Sequence, residues 1–204
     1  MTMNDAALSR RALMRGAAGL GLAFALHGPA FAQSTSAAQQ LVVTLSNELS
    51  RLVNSGQSAN QIISAFQQLL MRYGDMNAVS ASVVGPTWRG ASPAQKQAFV
   101  PAFTNYFAKR YGKTFSEYKN ATIQVDGAQD AGRAGVLVNS TVKRPGQEDI
   151  RVGWQISDRS GSPKVVNLVI EGVSALANER AEVGAMLDAQ GGDLDRLIAQ
   201  MRSS

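Results

Sequence analysis

The sequence predicts an α+β fold in which helices pack on one face of an antiparallel meander sheet of about four strands. Apolar residues recur at helical spacing from residue 41 to residue 111, and again after residue 174. Between residues 121 and 170 they instead alternate with polar residues, which is the period of half-buried strands. Helices first, a meander second and helices last is the order typical of helices gathered on one face of a sheet.

Glycine, proline and capping residues divide the first half of the chain into helices. Ser58–Gln61 and Ser92–Gln95 have the form of capping boxes, in which a serine and a glutamine satisfy the first free N–H groups of a helix. The helix from Pro93 to Tyr111 is expected to be the longest, and the polar segment Gln33–Ala38 is expected to be a flexible leader. The other helices are predicted over residues 41–53, 58–73 and 76–83.

The clearest strand pair lies between residues 150 and 170, where Ile150–Ser157 alternates and Asp158–Gly161 supplies a turn. Ser174 is a good N-cap for the helix that follows, and Glu171 is expected to cap the same helix. Four strands are predicted, over residues 121–126, 133–143, 150–157 and 165–170. The apolar stripe of the following helix is assigned to Leu176, Arg180, Val183 and Leu187, and a last helix to residues 194–201.

Residues 1–32 have the features of a twin-arginine-type export signal. Arg10 and Arg11 precede an apolar run, Gly16–Leu26, and Ala30–Ala32 places small residues where an exporting peptidase cleaves. We therefore expect a periplasmic protein with one domain, residues 33–204. An uncleaved membrane anchor is the alternative, but the apolar run is well short of the roughly 20 residues needed to span a bilayer.

Composition excludes several functions. Removal of the signal takes away three arginines and Asp5, so the formal charge falls from +5 to +3, and the scattered basic residues give no nucleic-acid pattern. The chain has no cysteine, and its one histidine, His27, lies in the signal. Catalytic triads, thiol nucleophiles and nearly all zinc sites are therefore excluded from the mature chain, and no cofactor is predicted.

What remains is a set of apolar residues on faces that should meet between the helices and the sheet. Either these residues close into a solid core or they line a hollow one. Periodicity alone does not decide between the two, and the sequence features taken by themselves favour the solid core. They are Phe66, Leu70, Phe103, Phe107, Ile123, Val138, Val152, Trp154 and Ile156.

The segments Gly85–Arg89, Ser92–Phe99 and Val166–Ser174, together with Phe115 and Tyr118, resemble the MlaC family of periplasmic phospholipid-binding proteins, also called toluene-tolerance auxiliary components. The resemblance implies a cone-shaped, nuclear-transport-factor-like fold that holds lipid acyl chains in an apolar cavity. It further implies a carrier without covalent chemistry that moves lipid between an outer-membrane lipoprotein complex and an inner-membrane ABC transporter complex. The lipid-binding residues would be the nine above and Trp88.

The chain departs from the family pattern at Asn167, where the family often has aspartate, and at Asn178–Arg180, where an aromatic residue usually precedes the arginine.

Phosphate headgroups would meet Arg89, Lys109 or Arg110 at the cavity mouth. A carrier of hopanoids or other apolar lipids is an alternative. So are an isomerase or hydratase on a cone-shaped α+β fold and an interaction module with a solid core.

Overall fold

The computed structural model describes residues 28–203, which form seven α-helices and a five-stranded sheet. Residues 1–27 of the predicted export signal lie outside the described residues. Within the described part, no helix is long and apolar enough to cross a membrane. The elements are α1 Gly28–Val53, α2 Ala59–Tyr73, α3 Met76–Val84, α4 Thr87–Gly90, α5 Pro93–Gly112, β1 Thr122–Asp130, β2 Val136–Lys143, β3 Ile150–Ser157, β4 Lys164–Ile170, β5 Val173–Ser174, α6 Ala175–Ala189 and α7 Leu194–Ser203.

The sheet confirms the predicted antiparallel meander. Its strands lie in chain order, β1-β2-β3-β4-β5, and each neighbouring pair is antiparallel. The fifth strand was not predicted. Glu171 and Gly172 take positive φ angles of 48° and 82°, and this tight reversal pairs Ile170 with Val173. The strand predicted from residue 133 begins at Val136, because Gly132–Ala134 forms a short 3-10 segment.

Both capping boxes are confirmed. The Ser92 N–H donates to Gln95 Oε1 at 2.9 Å, and the Gln95 N–H donates to Ser92 Oγ at 3.1 Å. At the start of α2, the Ser58 N–H donates to Gln61 Oε1 at 3.0 Å.

Two expectations about helix length are wrong. The segment Gln33–Ala38 belongs to α1, which has 26 residues, whereas the helix beginning at Pro93 has 20. The reason is packing: Ala38 is 1% exposed and shares a helical face with Val42 and Leu45, which are also buried. This face lies against the sheet, so the N-terminal turns gain a tertiary contact that their polar composition does not reveal.

The apolar interior consists of two clusters. One joins α3, α5, α6 and α7 around Phe99, Phe103 and Leu197. The other joins α1 and α2 to the inner face of the sheet, with Val42 and Val138 at its centre. The first cluster is helical throughout and the second is half sheet. Residues from both clusters line the space between them, and this space is the candidate site.

Candidate functional site

A cavity of about 310 Å³ lies between the two apolar clusters. This volume is at the lower end of the roughly 300–1,000 Å³ that is typical of small-molecule sites. Five helices, four strands and the 3-10 segment Phe115–Tyr118 contribute to the wall, and nearly all contributing side chains are apolar. Main-chain pairing holds the wall together where α2 meets α3, since the Asp75 N–H donates to the Val165 carbonyl of β4 at 2.9 Å.

Seven of the ten predicted lipid-binding residues line this cavity. On the helices, a spacing of four places each pair on one face, and on the strands the alternation points three side chains inward. The aromatic rings contact one another across elements: the centroids of Phe66 and Phe107 are 6.5 Å apart, and those of Phe66 and Phe115 are 4.6 Å apart. The seven residues are Phe66, Leu70, Phe103, Phe107, Ile123, Val152 and Trp154.

The structure places Trp88, Val138 and Ile156 away from the cavity wall. Val138 is 0% exposed and Ile156 is 2% exposed, and both lie in the sheet-side cluster, where α1 packs across β1 and β2 and fills the space. Trp88 packs edge-on against Phe99 at 6.0 Å, with Lys96 Nζ 5.7 Å from its ring centroid. Val138 and Ile156 are packed core, as the solid-core alternative assumed for the nine apolar residues, and Trp88 packs partly buried against the helical cluster.

Sequence reasoning missed the contribution of β4 and α6 to the wall. Val165 and Leu168 of β4, with Leu176 and Glu179 of α6, also line the cavity. A signal was present in β4: apart from Asn167, residues 165–170 are apolar on both faces of the strand, which is typical of a strand that is covered on both faces.

The assignment of Arg180 to the buried stripe of α6 is wrong. Arg180 is exposed, whereas Glu179 is 2% exposed. Spacings of three and of four from Leu176 both continue a helical stripe, so the pattern fits either residue.

Glu179 is the one charged residue among the described residues that line the cavity. Tyr111, also on the wall, donates its hydroxyl to Glu179 Oε1, and Arg110 Nε lies 4.0 Å from the same oxygen. Burial, reinforced by the hydrogen bond to Glu179, raises the pKa of Tyr111, which keeps the phenol protonated as a donor. Arg110 also pairs with Glu182 at 3.0 Å and donates to the Tyr106 hydroxyl at 2.8 Å. The predicted phosphate contact at Arg110 therefore has two carboxylates beside it.

Glu171 has a structural role different from the predicted helix cap. Its carboxylate accepts the Arg151 N–H at 2.5 Å and the Arg151 guanidinium at 3.1 Å, and these bonds lower the pKa of Glu171. The cap of α6 is made by Ser174, as predicted, together with Asn167. Ser174 Oγ accepts from the Ala177 N–H at 3.2 Å, and Asn167 Oδ1 accepts from the Leu176 N–H at 3.0 Å.

A buried hydrogen-bond chain fixes Trp154 in the cavity wall. Its indole N–H donates to Ser140 Oγ at 2.8 Å, and the Ser140 hydroxyl donates to the Val152 carbonyl at 3.2 Å. Ser140→Ala leaves the indole N–H without its acceptor, so we expect a loss of about 1–3 kcal/mol in the free energy of unfolding. Urea unfolding measures this loss.

The matched comparison for this prediction is a double-mutant cycle. Trp154→Phe removes the donor, so adding Ser140→Ala to it should cost less than Ser140→Ala costs alone, by about 1 kcal/mol. Ser160→Ala in the exposed β3–β4 turn is the control and should stay within about 0.5 kcal/mol. Equal stability of Ser140→Ala and the wild type would contradict the role assigned to this bond.

A family model described as MlaC protein matches residues 39–203. The chain belongs to the MlaC family. Every residue of the cavity wall lies inside the matched region, so the site described above is part of the MlaC domain itself.

Curated relatives agree with the MlaC assignment. The intermembrane phospholipid transport system binding protein MlaC of Haemophilus influenzae is 25% identical over 153 residues, covering 72% of this chain and 70% of that protein. The toluene tolerance protein ttg2D of Pseudomonas putida is 27% identical over 142 residues, covering 68% of this chain and 65% of that protein.

A solved structure shares the MlaC fold seen here. It is a phospholipid-binding protein from Ralstonia solanacearum in complex with a phospholipid, and it superposes with a TM-score of 0.67 at 19% sequence identity. The superposition covers 80% of this chain and 98% of the Ralstonia chain. At this identity the likeness shows that the two chains have the same fold.

Proposed function

We propose that this MlaC-family chain is a periplasmic phospholipid carrier, which holds lipid acyl chains in the cavity between its two apolar clusters and transports the lipid without altering it. The observation that carries this proposal is the hydrocarbon wall of the cavity, formed by all five contributing helices and four strands. The relatives support it, since one is named for intermembrane phospholipid transport and a fold neighbour was solved with a phospholipid.

The physical requirement for such a carrier is a dry apolar wall. Each methylene moved from water into an apolar environment gains about 0.8 kcal/mol, so an acyl chain leaves a membrane readily only for a site that restores most of this gain. Phe66, Phe103 and Phe107 offer large apolar surfaces, and Met76 offers a side chain that adapts to different chain shapes. These residues, with the other four predicted ones on the wall, are the proposed lipid contacts.

Export and partners belong to the same proposal. The twin-arginine-type signal of residues 1–32 would deliver the protein to the periplasm, with cleavage after Ala32. There it would exchange lipid with an outer-membrane lipoprotein complex and an inner-membrane ABC transporter complex, the partners that membership of the Mla system suggests.

The isomerase or hydratase alternative has weaker support. Acid–base catalysis would need two titratable groups converging on a substrate. Among the described residues of the wall, Glu179 is the one carboxylate, and its neighbour Tyr111 is held as a protonated donor. The described residues also contain no group of three or more histidines, cysteines or acids placed to hold a metal ion.

Organic extraction of gently purified protein, followed by mass spectrometry, tests the proposal. We expect a diacyl phospholipid at about one molecule per chain, because the apolar cavity between the two clusters is one continuous site. A hopanoid in place of the phospholipid would support the carrier function and would show that the bound lipid is a hopanoid. An extract without lipid, from protein that also fails to take up lipid from vesicles, would refute a carrier function.

A further inference from the structure

The carboxylate of Glu179 has one oxygen that nothing in the described protein satisfies. Oε2 is buried and has no hydrogen-bond partner among residues 28–203, and Glu179 as a whole is only 2% exposed. Buried polar atoms in folded proteins are nearly always paired, because an unpaired buried acceptor loses its hydration without compensation. A ligand group that completes the pair would remove this cost.

The protein groups around Glu179 all approach its other oxygen. The Tyr111 hydroxyl donates to Oε1, and Arg110 Nε lies 4.0 Å from Oε1. Arg110 makes its shorter ion pair with Glu182, at 3.0 Å, so one guanidinium serves two carboxylates. When all three groups are ionised, the cluster carries one unbalanced negative charge. Glu179 lines the cavity, but Oε2 is buried even when the cavity is empty, so a rotation of the carboxylate would bring this oxygen to a ligand held there.

We propose that Glu179 Oε2 accepts a hydrogen bond from the polar end of the bound lipid, so that the cavity selects lipids whose headgroup carries an N–H or O–H donor. This inference rests on the proposed function, since it requires a lipid in the cavity. A primary ammonium group would both donate the bond and balance the extra negative charge, whereas a headgroup hydroxyl would donate alone. A headgroup without a donor would leave Oε2 without a hydrogen-bond partner.

The test is competitive loading from vesicles that contain equal amounts of phosphatidylethanolamine, phosphatidylglycerol and phosphatidylcholine with identical acyl chains. The first carries ammonium donors, the second hydroxyl donors, and the third has the same phosphate but no N–H or O–H donor. Mass spectrometry of the repurified protein gives the retained ratio. We expect the wild type to prefer a donor lipid over phosphatidylcholine by roughly tenfold, the low end of the effect of a hydrogen bond to a charged acceptor.

Three variants separate the role of Glu179 from general effects on the helix. Glu179→Leu removes the acceptor and should take up all three lipids in equal proportion. Glu179→Gln keeps the shape and a weaker acceptor, so it should show an intermediate preference, and it serves if the leucine variant does not fold. Glu182→Gln is the matched control: it lies on the same helix and contacts Arg110, but its side chain is 46% exposed and lies outside the cavity wall. It should keep the wild-type preference for the donor lipids over phosphatidylcholine, while any preference for the ammonium over the hydroxyl donor should weaken because the extra negative charge is gone.

The outcomes are distinct. Equal uptake of the three lipids by the wild type, or an unchanged preference in both Glu179 variants, would overturn the inference and leave the carrier function standing. Uptake of none of them by any form of the protein would overturn the carrier function and the inference with it. A preference for phosphatidylethanolamine over phosphatidylglycerol would show that the charge of the ammonium contributes to selection. Equal uptake of these two lipids would show that an N–H or O–H donor is sufficient and that its charge does not matter.

Discussion

Replacing Ile123 with aspartate is expected to leave the protein folded and to remove most of its bound lipid. Ile123 is half-buried on β1, at the edge of the sheet, and its side chain lines the cavity. In the empty cavity, water can hydrate the new carboxylate, so the cost to folding is limited. A lipid chain would expel that water and leave a charge against hydrocarbon, which is strongly unfavourable.

A loss of only 1.4 kcal/mol in binding lowers affinity about tenfold, so we expect retained lipid to fall by at least that factor. Mass spectrometry of extracts gives the retained lipid, and circular dichroism confirms the fold. The control is Gln124→Asp, which adds the same charge to the neighbouring residue of the same strand, on the exposed face. It should retain lipid as the wild type does. Full retention by Ile123→Asp would show that the lipid lies elsewhere.

Val138 and Val152 show what periodicity in a sequence can and cannot predict. Both are apolar positions of alternating strands, and the sequence correctly predicts that both face inward. Val152 meets the cavity, whereas Val138 is 0% exposed in the packed sheet-side cluster. The difference is made by α1, which covers part of the sheet face and leaves the rest open. Strand periodicity specifies a face, but the position of a distant helix decides whether that face meets atoms or a void.

Local chemistry was the more predictable part of the fold. The capping boxes at Ser58 and Ser92 and the N-cap at Ser174 each depend on residues within a few positions of one another, and the structure has all of them. The features that were missed depend on contacts distant in sequence.

Two of the missed features illustrate this dependence. The segment Gln33–Ala38 is held in α1 by the packing of Ala38 in the sheet-side cluster. Glu179 is buried, and Tyr111, 68 positions away, satisfies one of its oxygens. A helical pattern read along one segment contains neither partner, so the sequence interpretation made the leader flexible and put Arg180 inside.

Gly135→Ala is expected to destabilise the fold more than any ordinary surface substitution, because Gly135 lies where β2 meets the backbone of β3. Its φ is +91°, and a Cβ built there would lie 2.0 Å from the Ile156 carbonyl oxygen. Relief of that overlap requires the β2 and β3 backbones to separate at the Val136–Ile156 pair. We expect a loss of more than about 4 kcal/mol in the free energy of unfolding, the range that marks a steric conflict.

Gly161→Ala separates this overlap from the conformational cost of a side chain at positive φ. Gly161 has a φ of +97°, close to that of Gly135, but in the described structure a Cβ there would meet nothing within 4 Å. Alanine at this position should therefore cost only the strain of the backbone conformation, about 1–3 kcal/mol. Urea unfolding of the two variants measures the difference. Equal stabilities would mean that the start of β2 yields without disturbing β3, whereas the expected gap shows that close backbone packing, and not φ alone, requires glycine at residue 135.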